Sequence, residues 1–572
     1  MSASNVLDAE TKPAHEFGPE PGTRQGIGWQ STMESWLQAR LNFVVAGILV
    51  AGFLARVYAA ATTYLNPDEV LHYIILNQES PFYAYKVSLT NAHPPLIYLL
   101  LYYWRSLGRS ELMLRFPSVI AGTVFCWAAY KWIANLFGKA AGMIALILAA
   151  FLPVMIALSA EVRSYALLLC CETMALYLIE EALEQNSVRK MGLFTVFLYL
   201  AILSHYSAIF FVFALGIYAL ARFIEAPCSR NVVMSWVAGQ VGALAIYLFL
   251  YVTHLSKLKT YIRTWQVSFD QGYSHTGHEH FLSYAWDRTI DIFLFLFDNQ
   301  FLVSGLLLLW IAASVAIFFW EQAFQRTNLR TRYTGILLSL PIATLFIAGI
   351  FKYYPYVGSR HTVFVAPFLI AALSFLIATS TGRKLWAAIL IAALLAASTY
   401  TGGKLSEPYL TKENQNIELM NEAVKYIHQT IPPDESIVTD YQSAIMFVYN
   451  FCGPQQILPV GAFSLPVSRF QCDGYRIASY QAWGMQAPFF LANFPAIARG
   501  QRLKPGDKVW VVQTGWGVTM AQELISSSPQ FRCLNPRHFG DNISIFQFAV
   551  GPDFSAVAAN PNCPDAVANA RL

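Results

Sequence analysis

Asp68 and Glu69 stand side by side in NPDEVLHY, Glu161 and Arg163 in SAEVRSY, and Arg360 and His361 in YPYVGSRH. Each group borders a long apolar run. Ionisable residues beside hydrocarbon cap a helix, pair with one another or carry function. A carboxylate can take the proton of an attacking hydroxyl. Arginine grips a phosphate through two parallel hydrogen bonds. Arginines and a histidine beside acids, taken as a set, suit an anion site. The bland alternative for the first pair is that Asn66-Pro67-Asp68 simply starts a helix.

These groups depend on apolar elements to position them. The 572 residues are 56% hydrophobic and 13% charged, whereas soluble domains are about 25% charged. A hydrocarbon core about 30 Å thick needs about 20 helical residues. Apolar runs at 41–64, 116–136, 141–160, 165–183, 191–204, 207–224, 231–252, 300–320, 333–351, 362–379 and 385–401 predict eleven spans. With the N-terminus inside, Lys139, Arg189, Lys190, Arg222, Arg230, Arg326, Arg330, Arg332, Arg383 and Lys384 all fall in the cytosol, as the positive-inside rule requires. The three acid and arginine groups then share the outer face, and the C-terminal region is extracytoplasmic. Residues 1–40, acidic and proline-rich without an apolar core, read as a cytosolic tail rather than a cleaved signal.

The expected organisation is a transmembrane domain over 41–403, an α/β domain over 404–550 and a flexible tail over 551–572. The first outer loop, 64–115, holds a short apolar piece at 94–104 that suits an interfacial or re-entrant helix. A second long outer loop, 253–299, reads as a cover over a lipid site; His275, His278 and His280 within it have weak spacing for a metal. Lys86, Arg105, Lys257, Lys259, Arg263 and Lys352 join Arg163 and Arg360 on the outer face, against the topological trend. Singly they suit headgroup anchoring; as a set they suit an anion site. In the C-terminal domain, helices are expected at 415–429 and through MAQELISS, and strands at SIVTDY, DKVWVVQT, FRCLN and NISIFQF. Cys452, Cys472, Cys533 and Cys563 allow one or two disulfides. Net charge of +4 gives no reason to expect a nucleic-acid partner.

The order Asp-Glu, HPPLIYLLLY, Arg115-x-Pro117-Ser118, EVRSYALLL and SRHTVFVAPFL resembles the GT-C glycosyltransferases over roughly residues 40–380. More narrowly, it is similar to the bacterial protein-mannosyltransferase and lipid A aminoarabinose-transferase superfamily, family 39 or RgtA-like. The resemblance implies a GT-C fold in the bacterial cytoplasmic membrane. It also implies a polyprenyl-phosphate-linked sugar donor, inversion at the anomeric carbon, and a glycan, lipid or protein acceptor. On that reading Asp68 is the general base, with Glu69 and Glu161 orienting the acceptor or steadying positive charge on the sugar. Arg163, Arg360, Lys86, His93 and His361 would hold the donor phosphate. His72, Tyr73, Tyr165 and His205 are pocket candidates, although His205 also suits a plain hydrogen bond between helices. Aminoarabinose transferases carry Lys before the proline pair where this chain has His93, which speaks against that activity. No cofactor is expected beyond the lipid-phosphate substrate; a divalent metal beside the acids is left open.

Two other classes compete. A transporter or flippase would also need many spans, but such folds show internal repeats and midplane charges, and neither is evident. A scaffold displaying the C-terminal domain would need no acids and arginines from three separate loops.

Overall fold

A computed structural model describes residues 29–226, 228–258, 270–274, 280–297, 305–306, 310, 333–400, 415–453, 467–480, 484 and 486–560. Its first helix, α1 (Trp29–Ala39), lies within the segment expected to be a cytosolic tail; Trp29 packs on Trp386. The first span, α2 (Leu41–Thr62), leads into three short helices: α3 (Pro67–Leu76), α4 (Pro81–Ser88) and α5 (Leu96–Trp104). Prolines at the first turns of α3 and α4 suit positions where no backbone donor is needed, and Asn66 and Ser80 cap the two helices.

The bundle continues with α6 (Glu111–Phe137), α7 (Lys139–Phe151), α8 (Pro153–Ser159), α9 (Tyr165–Glu184), α10 (Val188–Ser204), α11 (Ala208–Glu225) and α12 (Arg230–Thr253). It closes with α13 (Phe281–Phe297), α14 (Thr334–Ile350), α15 (Ala366–Ser380) and α16 (Leu385–Ser398). Among the described residues, five helices are long and apolar enough to cross a membrane, or six if α7 and α8 count as one broken span. The remaining expected spans are less clear-cut. α9 carries four glutamates, α10, α14 and α16 are short, and most of 300–320 lies outside the described residues.

The run at 141–160 is not straight: the chain bends 59° between α7 and α8, where Pro153 cannot continue the hydrogen-bond ladder. The carbonyls this frees need donors inside an apolar bundle. Arg56, wholly buried in α2, donates to Ala149 and Ala150 at 2.8 and 3.0 Å, and the Tyr400 hydroxyl donates to Phe151 at 2.8 Å. α8 then delivers the chain to Glu161 and Arg163. The expected loop at 253–299 also differs: its second half is α13, whose apolar end, Ile292–Phe297, buries five of its six residues.

The C-terminal part is an α/β unit. It comprises α17 (Ile417–Thr430), β1 (Ser436–Asp440), α18 (Tyr441–Asn450), β2 (Val467–Cys472), β3 (Tyr475–Tyr480), α19 (Ala487–Gly500), β4 (Lys508–Thr514), α20 (Met520–Ser527), β5 (Arg537–His538), β6 (Ile543–Val550) and β7 (Ala556–Ala558). The sheet order is β2-β3-β1-β4-β6-β5, with β7 on β6, and β3, β1 and β4 run parallel. FRCLN is a 3-10 turn and loop instead of a strand, because Pro529 and Pro536 bracket it too closely for a ladder. The sheet extends to Ala558, so part of the expected tail is ordered by pairing with β6. Cys452 bonds to Cys472, Cys533 is also disulfide-bonded, and Cys563 lies outside the described residues.

This unit seats directly on the first-loop helices. Tyr64 N donates to Gln415 O at 2.9 Å, Tyr449 donates to Arg109 O at 3.2 Å, and the rings of Tyr73 and Tyr449 meet at 5.2 Å. One hydrophobic cluster spans α3, α5 and the lower face of the sheet.

Candidate active site

Asp68 sits in the first turn of α3, held by the Asn66 cap. Its Oδ2 accepts a hydrogen bond from Arg360 Nη2 and forms an ion pair with Arg163 Nη1 at 3.3 Å. Arg163 comes from the loop between α8 and α9. Arg360 comes from the 3-10 turn Arg360–Val365, whose start is fixed by reciprocal hydrogen bonds between Ser359 and Thr362. Segments distant in sequence thus meet on one carboxylate oxygen. Burial alone would raise the Asp68 pKa; Arg360 and Arg163 outweigh it and hold the carboxyl below its usual range, so it is ionised at neutral pH.

Histidines and tyrosines surround Arg163. Its Nη2 donates to Tyr165 Oη at 3.1 Å and approaches His93 Nε2 at 3.4 Å. The His93 ring lies 5.4 Å from His72, 5.3 Å from His205 and 6.4 Å from His361, centre to centre, and Tyr165 packs on the last two at 5.5 and 6.0 Å. Hydrogen bonding sets the His72 tautomer. Nδ1 stands 2.9 Å from the Asp68 carbonyl, which can only accept, so Nδ1 carries the proton and Nε2 accepts from Tyr98 Oη at 3.1 Å. The 3.4 Å approach of Arg163 Nη1 to that same Nδ1 is then donor against donor and no bond. Burial, with Arg163 close by, pushes His72, His93 and His205 well down, His205 to about 3, so all three are neutral. Among the described residues no group of three or more His, Cys, Asp or Glu could hold a metal ion.

Beside the histidines opens an apolar cavity of about 570 Å³, lined by His205, Tyr206, Phe210, Tyr247, Ala348 and Tyr354 among others. His254, at its edge, bonds to the Tyr206 hydroxyl and to Asn91 O.

Four other residues assigned to the site from the sequence make the following contacts. Glu69 does not face the pocket: both its oxygens are filled, Oε1 by Arg115 Nε and Val162 N at 2.7 and 2.8 Å, Oε2 by Arg115 Nη2 and Asn66 N at 2.7 and 3.0 Å. Glu161 is wholly buried, and its charge acts on Arg115. Lys86 is exposed on α4 with its ammonium 4.6 Å from the Phe82 ring centre, a cation–π contact outside the arginine cluster. Tyr73 packs against Tyr449 in the interface with the C-terminal unit. Asp68, Arg163, Arg360, His72, His93, Tyr165, His205 and His361 do converge. His275, His278, Lys259 and Arg263 lie outside the described residues. Tyr98 and Trp516 were not singled out from the sequence. Tyr98 lay in an apolar helix that showed no polar demand, and Trp516 lay in a distant loop whose only mark is its flanking glycines.

Residues 92–254 match a family model described as Dolichyl-phosphate-mannose-protein mannosyltransferase. A comparison with curated proteins finds no match. Among solved structures, ArnT from Cupriavidus metallidurans is similar, both bound to undecaprenyl phosphate and apo. Identity is 12%, with TM-scores of 0.47 and 0.48, and each comparison covers 89% of this chain and 98% of that one. The apo oligosaccharyltransferase of Archaeoglobus fulgidus is 12% identical with a TM-score of 0.45, over 84% of this chain and 70% of that one. The matched family segment runs from the proline pair through EVRSYALLL to His254. The family match falls on the stretch that holds HPPLIYLLLY, Arg115-x-Pro117-Ser118 and EVRSYALLL, three of the motifs on which the resemblance was read.

Proposed function

We propose that this protein is an inverting glycosyltransferase of a bacterial cytoplasmic membrane, moving a sugar from a polyprenyl-phosphate donor to an acceptor on the extracytoplasmic face. The observation that carries this reading is the meeting of Arg163 and Arg360 on Asp68 beside the 570 Å³ apolar cavity. The cavity suits an isoprenoid chain. The two guanidiniums suit the phosphate at its end, and the carboxylate suits the incoming alcohol.

In this mechanism the donor phosphate draws Arg163 and Arg360 away from Asp68, which frees the carboxylate and raises its basicity. The acceptor oxygen attacks the anomeric carbon from the face opposite the phosphate and loses its proton to Asp68. The bond from anomeric carbon to phosphate oxygen breaks, and polyprenyl phosphate leaves as an anion against the arginines. Arg163 donates toward His93 Nε2, so the proton of that ring is on Nδ1, which has no hydrogen-bond partner among the described residues and can donate to a phosphate oxygen.

The test is transfer by purified protein in nanodiscs, with a panel of polyprenyl-phosphate sugars and release of polyprenyl phosphate as readout. NMR of the product gives the anomeric configuration. Movement of labelled lipid across vesicles without transfer would select the transporter reading instead.

A further inference from the structure

The carboxyl ends of β1 and β4 face the first-loop helices. Directly after β4, the chain runs Thr514-Gly515-Trp516-Gly517, with φ of +107° at Gly515 and +70° at Gly517, a backbone that side chains resist. A methyl group on Gly515 would stand 2.8 Å from Pro67 Cγ, so the loop is pressed against the residue preceding Asp68. Gln442, wholly buried in the first turn of α18, clamps the loop from both sides. Its Nε2 donates to Trp516 O at 2.6 Å, and its Oε1 accepts from Trp516 N at 3.4 Å. The result is a half-buried indole whose ring centre lies 5.9 Å from Arg360 Cζ.

At the outer edge of cation–π range, attraction to Arg360 is a weak reason for two positive-φ glycines and a buried glutamine clamp. A phosphate on Arg360 would carry its sugar one bond away, among the groups flanking that guanidinium: Asp68 and Trp516. A pyranose offers one face of C–H groups and a rim of hydroxyls. An indole offers a rigid apolar plane with a polar edge. We infer that Trp516, brought to Asp68 by the C-terminal unit, is the platform on which the donor's sugar ring stacks, and so a determinant of which sugar is used. The inference rests on the glycosyltransferase reading above.

The experiment compares two probes on the full-length protein, polyprenyl phosphate without sugar and the polyprenyl-phosphate hexose that wild type uses. Variants are Trp516→Ala, Trp516→Leu and Trp516→Phe, each checked for a wild-type melting temperature. Trp516→Ala and Trp516→Leu should bind the sugar-bearing lipid roughly tenfold more weakly, the scale on which a buried aromatic anchor acts, and bind the sugar-free lipid as wild type does. Trp516→Phe should recover most of the loss. Equal weakening for both lipids would mean the ring acts only on Arg360, and no weakening for either would remove it from the site; each overturns the inference and spares the parent reading. Wild-type protein that binds neither lipid would bring down both.

Discussion

Glu69 and Arg115 form a two-pronged ion pair, Nε to Oε1 and Nη2 to Oε2 at 2.7 Å each, with neither side chain exposed. Arg115 also donates to the carbonyls of Ala60, Thr63 and Tyr64, so the pair ties the end of α2 to the start of α3 and to α6. Removing one partner of such a pair leaves an uncompensated buried charge, at a cost of about 3–5 kcal/mol. Glu69→Gln and Arg115→Met should therefore lower the melting temperature in detergent sharply and reduce yield. A stable but inactive Glu69→Gln would return Glu69 to the chemistry.

Asp68→Asn separates base from binding. It keeps the shape of the side chain and removes the anion that competes with phosphate for Arg163 and Arg360. Turnover should fall by roughly 10²–10⁴-fold, the usual contribution of a general base, while affinity for sugar-free polyprenyl phosphate should rise. Wild-type turnover in this variant would end the role assigned to Asp68.

The arrangement was partly legible in the residues. Acids and arginines that interrupt apolar runs are expensive, so NPDE, AEVR and GSRH announced themselves, whereas Arg115 stood out only as part of its Arg-x-Pro-Ser motif. What sequence alone could not decide was which acid faced which way. Asp68 and Glu69 are neighbours on a helix of 3.6 residues per turn, so they point about 100° apart. The spacing from Asn66 to Glu69 was a sign that Glu69 is engaged as a capping-box residue; the chemical types are otherwise equivalent. The break at Pro153 shows in the sequence as a proline inside an apolar run, yet nothing local says that Arg56, far earlier in the chain, supplies the missing donors. In the C-terminal unit the strands with buried runs were readable. The β2–β3 hairpin was missed, although its Asp473-Gly474 turn has positive φ at both residues, because RFQC and YRIASY do not alternate cleanly.

Arg360 and Lys86 make opposite predictions although both were read as phosphate ligands. Arg360 touches Asp68 and is mostly buried; Lys86 is exposed over Phe82. Arg360→Ala should raise KM for the lipid-phosphate sugar at least tenfold, since charged hydrogen bonds of this type are worth about 1.5–3 kcal/mol. Lys86→Ala should leave both kinetic constants near wild type. Equal effects from the two substitutions would mean that the phosphate lies between them and not against Asp68.

The buried histidines should make the fold lose stability in acid. His205 is held down to about 3 by burial and then by Arg163, and His72 and His93 are lowered by the same causes. In the unfolded chain each takes a proton near pH 6.5. Below that pH the unfolded state binds more protons than the folded one, so stability falls as pH drops. The slope is at most about 1.4 kcal/mol per pH unit per histidine, and for His205 it persists down to about 3. Asp68, with its folded value lowered, contributes stability above the unfolded aspartate value and loses it only under stronger acid, so it does not offset this slope. Melting temperatures in detergent should decline steadily from pH 7 to 4.5, and His205→Gln should flatten the decline. A wild-type curve that stays level across this interval would mean that the imidazoles are already charged at neutral pH.

The apolar cavity makes a prediction that depends on chain length. Ala348, on α14, is a small residue in its wall, facing a space of about 570 Å³ shared with Phe210 and Tyr247. Replacing Ala348 by Phe adds a ring to the lining while leaving Asp68, Arg163 and Arg360 untouched. If the cavity holds the isoprenoid, the variant should raise KM for a long-chain polyprenyl-phosphate sugar. It should have little effect on a short, water-soluble analogue with the same headgroup, because burial per methylene, worth about 0.8 kcal/mol, is lost only for the carbons displaced. Ala348→Ser, which changes size little, controls for damage to the helix. An equal rise in KM for both donors would place the lipid chain elsewhere on the bundle and leave the cavity without that role.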